Sequence, residues 1–211
     1  MDYGMDNYAG VTWSNTGARR LLIGWMNNWS YAGDVPCNPW RSAMTLPREL
    51  SLVEFDKMPY LASPVAKEVD GIAQAWKDAG ATLEVKDAYQ LQVKLKLEGN
   101  SNITLSNGDG EKFIVDVYAG SRILTVKRSG VTGTVSFNGT FALPSIQAPL
   151  FTEGETFILN LFVDQSSVEL FNGDGTLSMT NLVFPKSLYN QLSVTGNAVE
   201  SKVRDLNRIW E

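Results

Sequence analysis

From Ala81 onward the chain repeats one pattern: short runs in which every second residue is apolar. Leu91, Val93, Leu95 and Leu97 alternate with Gln92, Lys94, Lys96 and Glu98. Phe113, Val115 and Val117 repeat the alternation, as do Phe157, Leu159, Leu161 and Val163, followed by Val168 to Phe171. Successive side chains of a strand point to opposite faces, so a period of two marks strands with one buried face. Between the runs stand Asn107-Gly108-Asp109-Gly110, Asn138-Gly139 and Asn172-Gly173-Asp174-Gly175, residues that form tight turns. Many short strands with such spacing predict an all-β, antiparallel sandwich over 81–211. In that sandwich Leu159, Leu161, Val163, Val168 and Leu170 face inward, and Asp164-Gln165-Ser166-Ser167 makes the turn between their strands.

The first fifty residues read differently. Tyr8 to Trp13 and Arg20 to Met26 form two strands joined by Ser14-Asn15-Thr16-Gly17, with a third strand over Ser42 to Leu46. Residues 51–80 form a linker. Within it Val65, Val69, Ile72, Ala73 and Trp76 recur at helical spacing, with Ser63-Pro64 at the start and Gly80 at the stop, which predicts a short helix.

Composition narrows the chemistry. The 211 residues suffice for a substantial core. The balance of 18 basic against 23 acidic residues, a net charge of −5, argues against charge-driven binding to nucleic acid or anionic membrane. The chain has no His and one Cys, Cys37. That excludes Ser–His and Cys–His catalysis, His-ligated metals, Cys clusters for zinc and an intrachain disulfide. No cofactor and no metal are expected. The first residues have no basic-then-apolar leader pattern, so no signal peptide is read.

Catalysis would therefore rest on carboxylates, Tyr, Lys or Ser. Hydrolysis of a glycosidic bond commonly takes two carboxyl groups. Asp2 with Asp6, and Asp164 with Glu169, are the pairs to consider, but neither has a spacing that specifies a dyad. Asp164 reads first as a turn residue, and Lys127, Arg128 and Arg48 as solvated or in structural ion pairs. "GWMNNWSY", from Gly24 to Tyr31, is more suggestive of binding. Sugars stack their C–H faces on aromatic rings and offer hydroxyls to amides, and Trp25, Asn27, Asn28 and Trp29 supply both. Alternation puts Trp25 and Asn27 on one face and Met26 and Asn28 on the other, so one Trp is expected in the core.

Three stretches, "DYGMDNYAGVTW", "RRLLIGWMNNWSYAGDVPCNPWRSAMTLPREL" and "FVDQSSVELFNGDG", occur in this order. Together they resemble the second half of a glycoside hydrolase family 32 enzyme, the family of levanases, inulinases and invertases. The resemblance implies a retaining β-fructosidase built from a five-bladed propeller and a β-sandwich. It assigns residues 1–50 to the remnant of the last blade, 51–80 to the linker and 81–211 to the sandwich. Trp25, Trp29 and Asn28 become substrate-binding rim residues, with fructan or sucrose as the carbohydrate partner. Members of this family are often secreted or periplasmic.

The catalytic signature of the family lies in three segments: an Asp within Trp-Met-Asn-Asp-Pro-Asn-Gly, an Asp within Arg-Asp-Pro and the Glu of Glu-Cys. "WMNN" runs on into Trp29-Ser30-Tyr31, Arg204-Asp205 is followed by Leu206, and Pro36 precedes Cys37. No catalytic residue is assigned, and the chain alone is expected to be inactive. A carbohydrate-binding or purely structural sandwich module is the alternative. Without neighbouring blades, Val11, Trp13, Leu22, Ile23, Trp25 and Met26 would form an exposed apolar surface. Residues 1–50 are therefore expected either to be poorly ordered or to pair with a second copy in a homodimer.

Overall fold

A computed structural model describes residues 1–39, 41–130, 135–152 and 154–209. In chain order the strands are β1 (Tyr8–Thr12), β2 (Leu21–Met26), β3 (Ala43–Met44), β4 (Arg48–Glu49), β5 (Ser51–Phe55) and β6 (Met58–Ala62). Then follow β7 (Lys77–Asp78), β8 (Tyr89–Lys96), β9 (Ser101–Ser106), β10 (Lys112–Tyr118), β11 (Ile123–Ser129) and β12 (Ile146–Pro149). The last five are β13 (Thr156–Val163), β14 (Ser167–Asn172), β15 (Ser178–Leu182), β16 (Gln191–Thr195) and β17 (Ala198–Asp205).

The sandwich has a five-stranded sheet, β12-β11-β10-β9-β16, and a six-stranded sheet, β15-β14-β13-β8-β17-β7. Neighbouring strands within each are antiparallel. The alternating residues close the core as expected. Leu91, Val93 and Leu95 of β8 and Leu159, Leu161 and Val163 of β13 meet Ile103, Leu105, Phe113, Val115 and Val126 of the opposite sheet. Val168 and Leu170 are fully buried among them. Asp164 makes a local turn: its carboxylate accepts the Gln165 N–H at 2.7 Å and its own N–H donates to the Ser167 carbonyl at 2.9 Å.

The expected helix is not formed. Residues 63–76 instead run extended on either side of one 3-10 turn, Lys67–Ile72. Val69 of that turn packs with Phe162, Phe171 and Leu206, joined by Val65 and Ile72, so the spacing that reads as helical is satisfied by a strap laid over the sheet. Residues flanking the turn bridge in opposite directions, Val65 to Arg48 and Ala73 to Leu206. An isolated helix this short, with Gly71 inside it, has too few hydrogen bonds to offset its nucleation cost. The linker also contains a hairpin, β5–β6, paired from Ser51↔Ala62 to Phe55↔Met58. Its two-residue turn, Asp56-Lys57, has φ of 49° and 60°, the left-handed pair that matches strand twist.

The first unit is a four-stranded antiparallel sheet with β2 between β1 on one side and β3 and β4 on the other. Asn15 and Gly17 take positive φ in the connection between β1 and β2, as the turn residues predict. This unit does not stand apart. Its leading segment runs beside the sandwich's outermost strand, with the Tyr3 N–H on the Ser178 carbonyl at 2.9 Å and the Asp6 N–H on the Thr180 carbonyl at 3.2 Å. A Cβ on Gly4 would lie 2.1 Å from the Thr180 carbonyl oxygen, so only glycine permits the approach.

The expectation of a fully exposed apolar surface is thereby corrected. Leu22 and Met26 are buried, and Met26 packs with Tyr31, Val35, Phe141 and Leu182 of the sandwich side. Ile23 and Trp25 are half-buried, and only Val11 and Trp13 of that set stand exposed.

Candidate functional site

Two groups of side chains follow from this architecture: a buried charged network at the junction, and an open aromatic face.

The junction is centred on Arg48, which has no solvent exposure. One guanidinium nitrogen lies 2.8 Å from Asp2 and donates to Ser178 Oγ at 3.1 Å. The other donates to Glu169 at 3.0 Å and to Thr180 Oγ1 at 2.6 Å, and the group sits 4.9 Å over the Phe171 ring. Asp2 further accepts N–H groups of Gly4 and Thr180 at 2.8 and 3.0 Å and the Thr180 hydroxyl at 2.8 Å. Glu169 also accepts the Leu46 N–H at 2.8 Å. Burial opposes the charge on Asp2, but Arg48 and these donors outweigh it and hold the carboxyl below its ordinary value. At Glu169 burial wins, aided by the Asp2 charge, and the pKa is raised in spite of Arg48.

A second cluster surrounds Asp6. Its carboxylate accepts the Tyr31 hydroxyl at 2.5 Å and the Leu182 N–H at 2.8 Å, with Arg128 at 3.5 Å. Burial pushes Asp6 up against these partners, and pushes Tyr31 up as well. Arg128 stacks 3.8 Å over Phe141. Arg48 and Arg128 are thus structural ion-pair residues, while Lys127 pairs with Asp116 at 2.8 Å in a partly exposed setting.

These carboxylates cannot act as a glycosidase pair where they stand. Asp2 and Glu169 are brought to one guanidinium and almost fully buried, whereas a retaining pair, with carboxyl groups about 5–5.5 Å apart, faces an open site. Asp6 is enclosed too, and Asp164 lies in a turn remote from this network in its bonding. Among the described residues no group of three or more His, Cys, Asp or Glu side chains is placed to hold a metal.

The open face belongs to β1–β3. Register sets Tyr8 and Met44 on either side of Trp25. Trp29 is 75% exposed, its ring centroid 5.2 Å from that of Trp25, and Tyr8 lies 6.4 Å away on the other flank. Neither Trp belongs to a core cluster, contrary to the expectation for one of them, because Met26 and Leu22 occupy the inward positions of β2. β2 ends at Met26, so the alternation does not reach the asparagines. Asn27 is buried, donating to Ser42 Oγ at 3.1 Å and accepting the Asn28 N–H at 2.8 Å. Asn28 donates to the Met5 carbonyl at 2.8 Å and accepts the Ser30 N–H at 2.9 Å. The pair therefore builds the turn that leads into Tyr31 and Val35 and ties it to the leading segment.

With that geometry in view, the comparisons with known proteins agree. The model of the glycosyl hydrolases family 32 N-terminal domain matches residues 1–64, and that of the family 32 C-terminal domain matches residues 65–211. The chain belongs to glycosyl hydrolase family 32. A levanase of Bacillus subtilis is 34% identical over 232 residues, covering 99% of this chain and 34% of the relative. An extracellular exo-inulinase of Aspergillus niger is 30% identical, covering 99% and 42%. The crystal structure of an exo-inulinase from Aspergillus awamori superposes with a TM-score of 0.86 at 25% identity, covering 99% of this chain and 44% of that one. The chain spans about a third to somewhat under half of the length of these relatives.

Sequence reasoning identified Arg48, Asp2 and Glu169 singly but not as one network. They lie 46 and 121 positions apart, and no local spacing signals such a contact.

Proposed function

We propose that this chain serves as the C-terminal portion of a fructan- or sucrose-hydrolysing β-fructosidase of the retaining type, and that alone it is not catalytic. The observation that carries this reading is the closed state of its buried carboxylates: Asp2 and Glu169 are spent on Arg48, and Asp6 on Tyr31 and Arg128. They lock the blade unit, residues 1–50, onto the sandwich, residues 81–211, across the linker, so the role of the chain is to buttress a catalytic propeller. Trp25 and Trp29 offer a stacking surface at the rim, and Asn28 holds the loop between them while keeping amide capacity for a sugar hydroxyl. Purified protein incubated with levan, inulin or sucrose should release no free fructose at enzyme-like turnover; such release would overturn the proposal.

A second reading, a module that binds carbohydrate without cleaving it, draws support from the exposed Trp29 beside the half-buried Trp25. The exposed Tyr8, Val11 and Trp13 on the β1 side would also take a second copy of the chain. Light scattering over a concentration series should then show a dimer, and a strictly constant monomer mass would exclude it.

A further inference from the structure

The outer face of the six-stranded sheet holds a cavity that no step above uses. It has a volume of about 180 Å³ and lies under the strap of residues 64–70. Its lining is mixed: Gln90, Asn160, Lys67, Asp70 and Arg204 are polar, and Val69, Phe162 and Phe171 apolar. Ligand sites for drug-sized molecules run roughly 300–1,000 Å³, so this one admits a single small ring.

The polar part of the lining is fixed in advance. Asn160 Oδ1 accepts the side-chain amides of Gln90 and Gln92 at 3.1 and 3.0 Å, and Gln90 Oε1 accepts Arg204 Nε at 2.8 Å. Those bonds occupy the acceptor end of Asn160 and leave its Nδ2 without a partner among the described residues. The cations of the lining have carboxylate neighbours. Arg204 pairs with Asp70 at 2.5 Å, and Lys67 lies in the fields of Glu49 and Glu68. An anion would gain little here, whereas a neutral ring that carries both C–H surface and hydroxyls meets both kinds of lining.

We propose that this cavity is a binding site for a single neutral sugar ring, separate from the Trp25–Trp29 face. The proposal rests on the fructan-enzyme reading only for the choice of fructose as the first sugar to try. A site so small gives weak binding, with a dissociation constant in the millimolar range.

The test is a ¹H–¹⁵N NMR titration of the full chain with fructose, glucose and inorganic phosphate in separate arms. The side-chain amides of Asn160 and Gln90 and the backbone N–H of Gly173, which also lines the cavity, should shift saturably with sugar. Asn160→Asp keeps the acceptor for both glutamines and removes the donor, and should weaken binding at least about tenfold at an unchanged melting temperature. If that variant does not fold, the wild-type titration decides alone. Equal shifts with glucose support the sugar site and count against a fructan preference, which keeps the two readings separable. The proposal is overturned by no shift at these groups at about 100 mM sugar, by shifts confined to the Trp25 and Trp29 indoles, or by saturation with phosphate alone.

Discussion

Replacing Arg48 with Ala tests the junction most directly. The side chain is fully buried, and its removal leaves Asp2 and Glu169 in the interior with no cation between them. Breaking a buried ion pair by deleting one partner costs about 3–5 kcal/mol, because an uncompensated charge remains. For a chain of this size each kcal/mol moves the melting temperature by about 2–4 °C, so Arg48→Ala should melt about 6–20 °C lower in calorimetry at pH 7. The triple variant Asp2→Asn, Arg48→Met, Glu169→Gln removes all three charges and should recover much of that loss, since well-packed neutral replacements are often tolerated. Limited proteolysis should locate the damage, with Arg48→Ala cut first within residues 1–50. A melting temperature within about 2 °C of the parent, or a triple variant as unstable as the single one, would refute the argument that Arg48 holds the two units together by charge.

The remaining expectations concern the core and the pH response. Leu161→Ala deletes a fully buried side chain from the sandwich centre and should cost about 2–5 kcal/mol; an unchanged melting temperature would remove Leu161 from the core. Glu169 has a raised pKa, so between the ordinary glutamate value and the raised one its native form keeps a proton that the unfolded form has lost. Its contribution is therefore favourable below the ordinary glutamate value near 4.3 and declines as pH rises through the raised one. The melting temperature of the wild type relative to Glu169→Gln should fall across that window, and a difference that rises with pH would contradict the assignment. Asp2 acts in the opposite sense. Its lowered pKa supplies stability above the ordinary aspartate value, near 3.9, that is lost on acidification.

The alternation in β8, β10, β13 and β14 was enough to place the sandwich and to pick Leu159, Leu161, Val163, Val168 and Leu170 as inward-facing, because a period of two is local and one face of those strands meets the core. Turn residues marked the connections for a similar reason: Asn15 and Gly17 declare a backbone conformation that few other residues adopt. Three ordered stretches, beginning at Asp2, Arg19 and Phe162, were also sufficient for the family, whose models cover residues 1–211. Elsewhere the local signal misled. Val65, Val69 and Ile72 have helical spacing, yet the partners that bury them, Phe162, Phe171 and Leu206, lie on another element and draw the segment into an extended strap. In β14 and β15 alternation predicts a solvent face, yet every residue is buried, because residues 1–50 cover Glu169 and Thr180 and the strap covers Phe171. Neither the sealing of Glu169 nor the closing of Asp2 and Arg48 around it is written in any short stretch. The contacts of Arg48 with Glu169 and of Asp2 with Thr180 join residues more than a hundred positions apart, and a charge becomes buried or exposed only when the second unit packs onto the first.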